Sequence, residues 1–585
     1  MRLSTDADRD EDAAVRVIEA ALEAGVTWLD TARAYGRDEA DVGHNERLVA
    51  RALRGRSDAI RIVTKCGMSR TGGGWEPDGR AGTILREAAA SVEALGRPPD
   101  VLLLHAPDPR VPLATSVRAL VRAENEGLAR AIGLSNVSRA ELDALPREVV
   151  IAAVEVALGA AHDAAARGGV LSWCRERGAT VLAHTPLGGN ARAARLARDG
   201  VLRAIGSRHG TTPAIVLLAY LLAVDPSIVP LPGARRIETA AALARVAEIV
   251  LDDDDLGRLD ARFPGLALVR RPPVAPSEAS ATAEVVVVMG IAGSGKSRLA
   301  EAYAARGYAR LNRDLLGGTL RGIARRLEEA LDGGARRIVL DNTYLTRAAR
   351  SEVVRVAHLR GALVRCVHVE TPPAEAQRNC ATRMLERHRA LLGGRALAAE
   401  AKRDPNLFTP TTLFRMERQL ERPAADEGFA SIERVPFARV HRDGGPATFV
   451  PLELVVVPIA SGALRLLPGA TRALSALPPS AGPLLFFGWS PGAEDGLAGR
   501  AASLLVEGVG HRAADVAICA HAAGPPVCWC RPPLPGLWLA LAERHAVDPR
   551  RASFVVDGPT HRAVARAAGG MLTPWPRGET IGRVV

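Results

Sequence analysis

The feature that most limits the fold of this chain is an alternation of short apolar runs with segments of helical length over its first 265 residues. Seven apolar runs follow this rhythm: VTWLD, AIRIVTK, DVLLLHA, ARAIGLS, VIAAVEV, TVLAHTP and SIVPLPG. Strands that alternate with helices form parallel sheets, because each crossover helix returns the chain to the same end of the sheet. The pattern predicts an α/β fold whose first part is a (β/α)8 TIM barrel that lacks one of its eight strands.

The rest of the chain adds two further α/β segments, because 585 residues exceed one ordinary domain. A barrel over 1–265 is followed by a Pro-, Ala- and Ser-rich stretch, 266–283, that predicts a linker. The run EVVVVMG opens a second alternation over 284–440. RDGGPATFVP interrupts the pattern, and a third alternation over 441–585 has strands near ELVVV, PLLFFG, ADVAICA and SFVVD.

The charge balance leaves the partner open. Lys and Arg outnumber Asp and Glu, 76 against 65, for a net charge of +11, which suits a polyanion such as nucleic acid. A genome rich in G and C is the alternative explanation, since it also favours Arg, Ala, Gly and Pro. The chain has no apolar run of membrane-spanning length, and its polar, acidic N-terminus is not a secretory signal. We therefore expect a cytoplasmic protein that binds no membrane.

Four polar residues stand at or just after the ends of predicted barrel strands. Asp30 ends VTWLD, Tyr35 lies in the loop after it, Lys65 ends RIVTK and His105 ends VLLLH. Active sites of such barrels lie at the carboxyl ends of the strands. A lysine held by a carboxylate stabilises a phenolate and lowers the pKa of a neighbouring tyrosine, which can then protonate a carbonyl oxygen that the histidine polarises. These four residues are the predicted catalytic set.

The motifs LDTARAYG, GHNERLVARAL, VTKCG, LLLHAPDP, IGLSNVS and VPLPGARR, together with those four residues, resemble the aldo-keto reductase family over about residues 1–265. The resemblance implies reduction of a small carbonyl substrate by NADP(H), with Tyr35 as the acid. The cofactor contacts that it implies are Ser135 and Asn136 at the nicotinamide carboxamide, and Gly233, Arg235 and Arg236 near the adenosine phosphate.

Three features depart from the pattern of that family. The family has a strand and a Gly-rich turn just before the equivalent of MRLS, where this sequence begins, so one barrel strand is expected to be missing. Glu155 stands where the family usually has Gln beneath the nicotinamide, and His184 stands where an aromatic residue, usually Tyr, stacks on that ring. Both substitutions are expected to weaken or alter cofactor binding.

The central segment contains a second predicted site. GIAGSGKS directly follows the strand VVVVM and precedes a helix, which matches the phosphate-binding loop GxxxxGK[ST]. Backbone N–H groups of such a loop bind phosphate at a helix N-terminus. In this loop Lys296 would neutralise the β- and γ-phosphates of ATP and Ser297 would help to hold Mg²⁺. The predicted nucleotide contacts in the loop are Gly290, Gly293, Ser294, Gly295, Lys296 and Ser297.

Charged residues after the loop are candidates for the rest of a kinase site. Asp314 follows the strand YARLN, within reach of a phosphoryl acceptor, and Asp341 ends RIVLD, where it can support the metal or the loop. Arg378, Arg383 and Arg387 share one predicted helix and could close over the nucleotide. A solvated helix face explains the three arginines equally well.

GxxGSGKS, GYARLNRDLLG, LDNT and the EAQRN helix together resemble the kinase domain of polynucleotide kinases from end-repair enzymes, over about residues 284–440. The resemblance implies transfer of the ATP γ-phosphate to a 5′-hydroxyl nucleic-acid end, with Asp314 as general base. Gly317 replaces an arginine that some viral members carry. Related P-loop kinases phosphorylate small molecules, so DNA, RNA and a small-molecule acceptor all stay open.

A cluster of metal-ligating residues lies near the C-terminus: Cys519, His521, Cys528 and Cys530. One imidazole and three thiolates suit tetrahedral Zn²⁺, and because all four ligand positions are filled, such a site would be structural. Buried thiols without a metal are the alternative. The other cysteines are scattered, which suits a reducing compartment and not a disulfide framework.

The segments CAHAAGPPVCWCRPPLPG and SFVVDGPTHRAVARAAGG resemble the zinc-loop phosphatases of the haloacid dehalogenase (HAD) superfamily. That family attacks phosphate with the first Asp of a DxD motif, where this chain has Pro451 and Glu453. Pro532 replaces the expected lysine, and His561 replaces an acidic residue expected near Asp557. Without a nucleophile the covalent mechanism cannot operate, so the resemblance implies a catalytically silent HAD-like domain that keeps its zinc.

The predicted function joins NADP(H)-dependent reduction of an aldehyde or ketone to ATP-dependent phosphoryl transfer, with nucleic-acid ends as the expected acceptor. A kinase followed by a phosphatase-like domain is the order of some viral end-healing enzymes. Two alternatives stay open: a reductase fused to a small-molecule kinase, and a largely non-catalytic scaffold. The idea that the reductase acts on aldehydes at oxidised nucleic-acid ends depends on the fusion alone.

Overall fold

The structure is a computed structural model that describes residues 1–56, 59–439, 443–458, 463–477, 482–494, 496–509 and 513–576. The chain divides into two compact units. The first comprises Met1–Ala275 with Arg347–Arg355, and the second Pro276–Thr346 with Val356–Val585. Among the helices that the structure describes, none is long and apolar enough to cross a lipid bilayer.

The elements before residue 276 belong to the first unit. Its strands are β1 Trp28–Asp30, β2 Arg61–Cys66, β3 Met68–Ser69, β4 Glu76–Pro77, β5 Val101–Leu104, β6 Ile132–Ser135, β7 Ala153–Ala157, β8 Thr180–His184 and β9 Ile228–Leu231. Its helices are α1 Arg2–Thr5, α2 Glu11–Glu23, α3 His44–Ala52, α4 Ala81–Leu95, α5 Leu113–Asn125, α6 Arg139–Asp143, α7 Ala164–Arg167, α8 Val170–Arg177, α9 Asn190–Leu196, α10 Gly200–Arg208, α11 Pro213–Val224, α12 Ile237–Ala241, α13 Asp253–Arg262 and α14 Pro264–Arg270.

Seven of these strands form one parallel sheet in the order β1-β2-β5-β6-β7-β8-β9, a nearly closed barrel. All seven apolar runs of the sequence are strands of this sheet, as predicted. In β5, Leu102 and Leu104 belong to the core beneath the helices, whereas Leu103 belongs to the core inside the barrel, and all three are fully buried. Because both faces of each strand are covered, the runs are apolar at nearly every position instead of alternating.

The predicted linker, 266–283, is shorter in the structure. Residues 266–270 lie in α14, whose Leu266 is fully buried in the barrel core. At its other end, Ala283 is the first residue of the next strand. The physical reason is burial: the apolar LALV at the start of the stretch covers barrel core, and only 271–282 have neither helix nor strand.

Among its described residues, the second part of the chain contains two five-stranded sheets and one two-stranded hairpin. Its strands are β10 Ala283–Met289, β11 Ala309–Leu311, β12 Arg337–Asp341, β13 Ala362–Glu370, β14 Ser431–Pro436, β15 Thr448–Pro451, β16 Val456–Pro458, β17 Leu464–Leu466, β18 Leu484–Trp489, β19 Ala513–Cys519, β20 Ser553–Val556 and β21 Met571–Pro574. Its helices are α15 Lys296–Ala305, α16 Arg313–Leu316, α17 Leu320–Asp332, α18 Arg347–Leu359, α19 Pro373–His388, α20 Gly394–Glu400, α21 Pro410–Gln419, α22 Ala470–Ala476, α23 Leu497–Val509, α24 Gly536–Arg544 and α25 Pro559–Ala568.

The first of these sheets is parallel, with the order β11-β12-β10-β13-β14. Its central strand β10 is the predicted run of valines, which are buried because a neighbour lies on each side and helices cover the faces. The sequence analysis missed β13, whose apolar pattern is interrupted by Arg365 and His368. Arg365 is accommodated at the sheet by Glu284 of β10, whose Oε1 lies 2.7 Å from the Arg365 Nε.

The second sheet is also parallel, with the order β19-β18-β15-β20-β21. The strand predicted near ELVVV is present only at the end of that run, and the central strand of the sheet is instead Thr448–Pro451, inside the stretch that was read as an interruption. Phe449 of this strand stacks on Phe554 of β20 with ring centroids 4.7 Å apart. Leu452–Leu454 form a 3-10 helix, and Val456–Pro458 pair with β17 in a separate hairpin. Burial between two neighbouring strands, and not local hydropathy, selects the central strand.

Helix α19 connects the two sheets of the second unit. One face contacts the loop after β10: a Cβ built on Gly293 would lie 2.6 Å from the carbonyl oxygen of Ala376. Another part of α19 packs on α24, where the guanidinium of Arg378 lies 5.3 Å from the ring centroid of Trp538. The loop conformation and the second sheet are therefore supported by the same helix.

The barrel strands leave no space for a side chain at Gly133 of β6. A Cβ there would lie 2.2 Å from the carbonyl oxygen of Ala153 on β7 and 2.5 Å from Leu103 Cδ2. The backbone of β7 cannot move without breaking strand pairing, so we expect Gly133→Ala to lower the free energy of unfolding by about 2 kcal/mol. Urea denaturation followed by circular dichroism measures this change. Gly82→Ala in α4, where a Cβ meets nothing within 4 Å, is the control, and equal midpoints for the two variants would contradict the packing argument.

Candidate active sites and a candidate metal centre

The carboxyl ends of β1 and β2 bring two predicted catalytic residues together. Lys65 Nζ donates hydrogen bonds to Asp30 Oδ1 and, at 3.1 Å, to the carbonyl oxygen of Thr31. It also lies 3.0 Å from Glu155 Oε2 on β7, across the barrel. Burial lowers the pKa of Lys65, but Asp30 and Glu155 outweigh it and raise that pKa well above its usual value. The ammonium is therefore a permanent charge in the mouth of the barrel.

Tyr35 and His105 complete this pocket. Their ring centroids lie 5.8 Å apart, edge to face, and Lys65 Nζ lies 5.1 Å from the centroid of the Tyr35 ring. Trp75, between β3 and β4, packs edge-on against both rings, at 6.2 Å from Tyr35 and 5.8 Å from His105. The structure thus brings all four predicted catalytic residues into one pocket and adds Trp75 as a wall that the sequence analysis missed.

Burial decides the protonation states of the two ring side chains. Burial raises the pKa of Tyr35, and Lys65 lowers it by less, so the net shift is upward. The expected acidifying effect of Lys65 is present but smaller than that of desolvation. Burial, Lys65 and His184 lower the pKa of His105 to about 3, so its imidazole is neutral. Its Nδ1 has no hydrogen-bond partner among the described residues, and a neutral imidazole can donate one hydrogen bond to a carbonyl oxygen.

The residues predicted at the nicotinamide follow β6. Asn136 has a left-handed backbone with φ 59°, and its Nδ2 donates to the carbonyl oxygen of His105 at 3.0 Å and to Ser135 Oγ at 3.1 Å. His184, at the end of β8, places Nε2 3.3 Å from Asn136 Oδ1. Ser135, Asn136 and His184 therefore border the pocket that contains His105.

The loop predicted at the adenosine phosphate, with Gly233, Arg235 and Arg236, lies between β9 and α12 and is exposed. Arg235 Nη2 lies 2.8 Å from Asp6 Oδ2, so this guanidinium has a carboxylate partner. The loop follows the carboxyl end of β9, which is the same edge of the sheet as the catalytic pocket.

The predicted phosphate loop curls around the start of a helix. Gly290, Gly293 and Gly295 have φ values of 149°, 76° and 94°, which residues with a Cβ rarely adopt. Helix α15 begins at Lys296, so Ser297 lies in its first turn. Ser294 is fully buried. This is the strand–loop–helix geometry that presents backbone N–H groups to phosphate.

Lys296 is buried in the loop, where its Nζ donates to the carbonyl oxygen of Ile291 at 2.7 Å. Burial, together with the charge of Arg383, lowers the pKa of Lys296 to about 8, against the opposite effect of Asp341 and Asp314. An ammonium with so little compensation gains strongly from a nearby anion. Asp314, Asp341 and Arg383, which were predicted from the sequence as parts of this site, therefore lie close enough to Lys296 to change its pKa.

Asp341, at the end of β12, is 1% exposed and holds the segment that carries Asp314. Its Oδ2 accepts from Arg310 Nη2 at 2.5 Å and from Asn312 Nδ2 at 2.9 Å. Asn312 Oδ1 in turn accepts from Leu315 N at 3.0 Å, which caps α16. The structure therefore gives Asp341 a positioning role through Asn312, a contact that the sequence analysis missed.

The three arginines of α19 have different environments. Arg383 acts electrostatically on the loop lysine. Arg378 is buried against Trp538, and Arg387 pairs with Asp404. Of the three, Arg383 is therefore the one that acts on the loop lysine, whereas Arg378 packs against Trp538 and Arg387 forms a half-exposed ion pair.

The four metal-ligating residues come together in the second sheet, as the sequence predicts. Cys519 Sγ lies 3.7 Å from Cys528 Sγ and 3.4 Å from Cys530 Sγ, and His521 Nδ1 lies 3.4 Å and 3.2 Å from the sulfurs of Cys519 and Cys530. All four candidate ligand atoms lie within 4.8 Å of one another. A tetrahedral zinc site with Zn–S bonds of about 2.3 Å and Zn–N bonds of about 2.0 Å has ligand–ligand distances of about 3.5–3.8 Å. The donor set and its spacing fit Zn²⁺.

The carboxyl end of the central strand β15 is Pro451, which has no ionisable side chain. Two residues on, Glu453 Oε1 lies 3.0 Å from His561 Nε2. His561 Nδ1 accepts from the backbone N–H of Asp557 at 3.1 Å. Both nitrogens of this imidazole are therefore engaged in hydrogen bonds.

The rarity of lysine in this chain is a feature of the composition that points to both the barrel pocket and the phosphate loop. Of the 76 Lys and Arg residues in the chain, only three are Lys. Lys65 and Lys296 are two of these three. The compact ammonium of lysine cannot be exchanged for the wide guanidinium fork of arginine inside a closed site. The places where such an arginine-rich chain has lysine are therefore informative.

Two family models match separate parts of the chain. A sequence model for the aldo/keto reductase family matches residues 1–262. A model for an AAA domain matches residues 285–403, which contain the phosphate loop.

Individual relatives match the barrel. A 6-dehydroglucose reductase from Agrobacterium fabrum is 30% identical over 264 residues, which cover 43% of this chain and 88% of that protein. An uncharacterised oxidoreductase from Schizosaccharomyces pombe is 26% identical over 258 residues, 44% of this chain and 80% of that protein. A solved aldo-keto reductase from Klebsiella pneumoniae in complex with NADPH is 26% identical over 43% of this chain and 86% of that chain, with a TM-score of 0.37. Through its first 262 residues, this chain belongs to the aldo/keto reductase family.

Proposed function

We propose that the barrel reduces a small aldehyde or ketone with NADP(H), with Tyr35 as the proton donor. The observation that carries this proposal is the convergence of Tyr35, Lys65 and His105 in one pocket, with a charged lysine beside a buried phenol. The solved Klebsiella relative contains NADPH, which supports this choice of cofactor. The Agrobacterium relative is a 6-dehydroglucose reductase, so oxidised sugars belong among the carbonyl compounds to be tested.

The residues of the pocket divide the proton chemistry among them. Bound NADPH supplies the hydride. Tyr35 donates its hydroxyl proton to the carbonyl oxygen, and the ammonium of Lys65 stabilises the phenolate that remains. His105 is neutral and holds the same oxygen by a hydrogen bond, which orients it without competing for the proton. Asp30 keeps Lys65 charged and in place. Ser135 and Asn136 would hold the nicotinamide carboxamide.

Replacement of the acid tests this assignment. We expect Tyr35→Phe to reduce NADPH-dependent turnover of an aldehyde panel by about 10²-fold or more, because a positioned general acid contributes a factor of that size. The measurement is NADPH oxidation followed by absorbance. Tyr220→Phe removes a buried hydroxyl that bonds Asp260 at 2.8 Å, away from the pocket, and should keep turnover near that of the wild type. Turnover by Tyr35→Phe at the wild-type rate would refute the assignment.

For residues 284–440 we propose ATP-dependent phosphoryl transfer, with a 5′-hydroxyl nucleic-acid end as acceptor. The conformation of Gly290–Ser297 and the buried Lys296 support binding of a triphosphate. Asp314 would accept the proton of the attacking hydroxyl, and Arg383 would stabilise charge on the transferred group. Asn312 and Asp341 would fix the position of Asp314. The acceptor rests on the resemblance to polynucleotide kinases and on the net charge of +11.

The phosphoryl-transfer proposal is tested with γ-labelled ATP and 5′-hydroxyl DNA and RNA oligonucleotides. We expect label on the oligonucleotide, and a loss of at least about 10²-fold in Lys296→Ala, because the lysine neutralises phosphate charge in a dry loop. Asp314→Asn should keep nucleotide binding and lose transfer. Lys402→Ala changes an exposed lysine and is the matched control. Transfer that survives Lys296→Ala contradicts the role of the loop, and label on small hydroxyl compounds alone would replace the proposed acceptor.

We further propose that Cys519, His521, Cys528 and Cys530 hold a structural Zn²⁺ in a HAD-like domain over 441–585 without phosphatase activity. The spacing of the four donors supports the metal, and the proline at position 451 supports the loss of activity. The metal would hold the two ends of the loop 519–530 together and make this part of the second unit rigid.

Metal analysis tests the zinc proposal. We expect one zinc per chain in the purified protein and none in Cys528→Ser, whose second unit should lose at least about 4 kcal/mol of stability, since loss of a metal is among the largest single-site effects. Cys174→Ser changes a buried cysteine of the barrel and should keep the zinc. Protein that is free of metal yet as stable as after zinc addition would mean that the cysteines are simply buried thiols.

A further inference from the structure

The ammonium of Lys65 is shared by two carboxylates from opposite parts of the barrel. Asp30 ends β1, next to the strand of Lys65, whereas Glu155 is on β7, two strands beyond β5 in the sheet. Glu155 Oε2 lies 3.0 Å from Lys65 Nζ. The side chains of Lys65, Glu155 and Asp30 are 1%, 2% and 16% exposed. This is a dry cluster in which two acids face one cation.

The charge of this cluster is not balanced when all three groups are ionised. One ammonium compensates one carboxylate. The other described titratable groups that face the cluster are the amino group of Met1 and the side chains of Tyr35, His105 and His184. Burial lowers the pKa of the Met1 amino group to about 6 and also lowers the pKa of both histidines, so these groups add little positive charge above neutral pH. Two carboxylates that share a buried site cannot both keep a full charge at low cost, so one of them binds a proton. Glu155 is the deeper of the two, and its Oε2 lacks a partner with hydrogen-bond geometry among the described residues.

The protonation equilibria point to the same group. Burial, and next the charge of Asp30, raise the pKa of Glu155 to about 8, although Lys65 acts in the opposite direction. Burial lowers the pKa of His105 to about 3 and also lowers that of His184. The pKa of the Met1 amino group lies lower, at about 6, so among these described groups Glu155 is the one that changes charge at mildly alkaline pH.

We propose that Glu155 is a second counter-ion of Lys65 and that its protonation state sets the acidity of Tyr35, so that carbonyl reduction at this site is governed by a proton held on β7. This inference rests on the proposed reductase function. Glu155 is a positioning residue in this scheme, because it acts on Tyr35 through the charge of Lys65 and does not itself give a proton to the substrate.

The direction of the effect follows from the charges. When Glu155 is neutral, Lys65 balances Asp30 and its field favours the phenolate that Tyr35 becomes after it has given up its proton. When Glu155 is ionised, its negative charge cancels part of that field, and the pKa of Tyr35 rises. Tyr35 is thus a better acid below the pKa of Glu155 and a poorer acid above it. Reduction should weaken as the pH rises through about 8.

The isosteric change Glu155→Gln removes this charge and keeps the volume of the side chain. We expect kcat for carbonyl reduction by the wild type to fall about tenfold between pH 7 and pH 9, the effect of a change of about 1 in the pKa of the acid when it is fully expressed in the rate. In Glu155→Gln, kcat should not show this tenfold fall between pH 7 and pH 9. Glu87→Gln is the matched control, because Glu87 is another carboxyl of the barrel whose pKa is raised by burial. In Glu87→Gln, kcat should fall with pH as it does in the wild type.

An infrared titration tests the same inference without turnover. The difference spectrum of wild type minus Glu155→Gln should contain a protonated-carboxyl C=O band at pH 7 that disappears near pH 8. Absence of that band at pH 7, or an unchanged pH step in Glu155→Gln, would overturn the inference. If Tyr35→Phe reduced carbonyls like the wild type, the reductase proposal would fail, while the infrared band would still decide the protonation of Glu155.

Discussion

A lysine ammonium that is removed from water needs compensating charge, and both predicted sites of this chain depend on how that need is met. Lys65 faces Asp30 and Glu155, so it stays charged at any ordinary pH and can stabilise a phenolate. Lys296 has a backbone carbonyl as its direct partner and more distant carboxylates, so its pKa falls to about 8. The charge of Lys65 faces more negative charge than it needs and is permanent. The charge of Lys296 has too little compensation, so it is stabilised most by an incoming triphosphate. In the proposed functions, the same residue type thus serves acid catalysis in one unit and anion binding in the other.

Much of the fold could be predicted because burial on both faces leaves a local signature. The seven barrel strands and the central strand β10 are continuous apolar runs, and such runs are visible without knowledge of their neighbours. The convergence of Asp30, Lys65 and His105 in one pocket could be predicted because each stands at or next to the carboxyl end of its strand. The phosphate loop is even more local, since its glycines, lysine and serine are consecutive in the sequence.

What could not be predicted depends on contacts between distant segments. Thr448–Pro451 has no stronger local signal than the following ELVVV, and only its position between β18 and β20 makes it the central strand. The ion pair between Lys65 and Glu155 requires the curvature of the barrel, because ninety residues of chain separate the two. The contact of Asn312 with Asp341 likewise needs β11 and β12 to be neighbours.

The three sheets follow one geometric rule and differ in what stands at their carboxyl ends. In the barrel and in the sheet around β10, those ends carry groups with unequal charge compensation, which is what a reacting or binding partner can exploit. At the end of β15 the charges are already satisfied, since Glu453 pairs with His561 and the second imidazole nitrogen of His561 is occupied by a backbone N–H. A site whose polar groups are all mutually paired gains little from a ligand. Under the proposed zinc assignment, the cysteine cluster beside the third sheet serves cohesion, and no reacting role is proposed for the carboxyl end of β15.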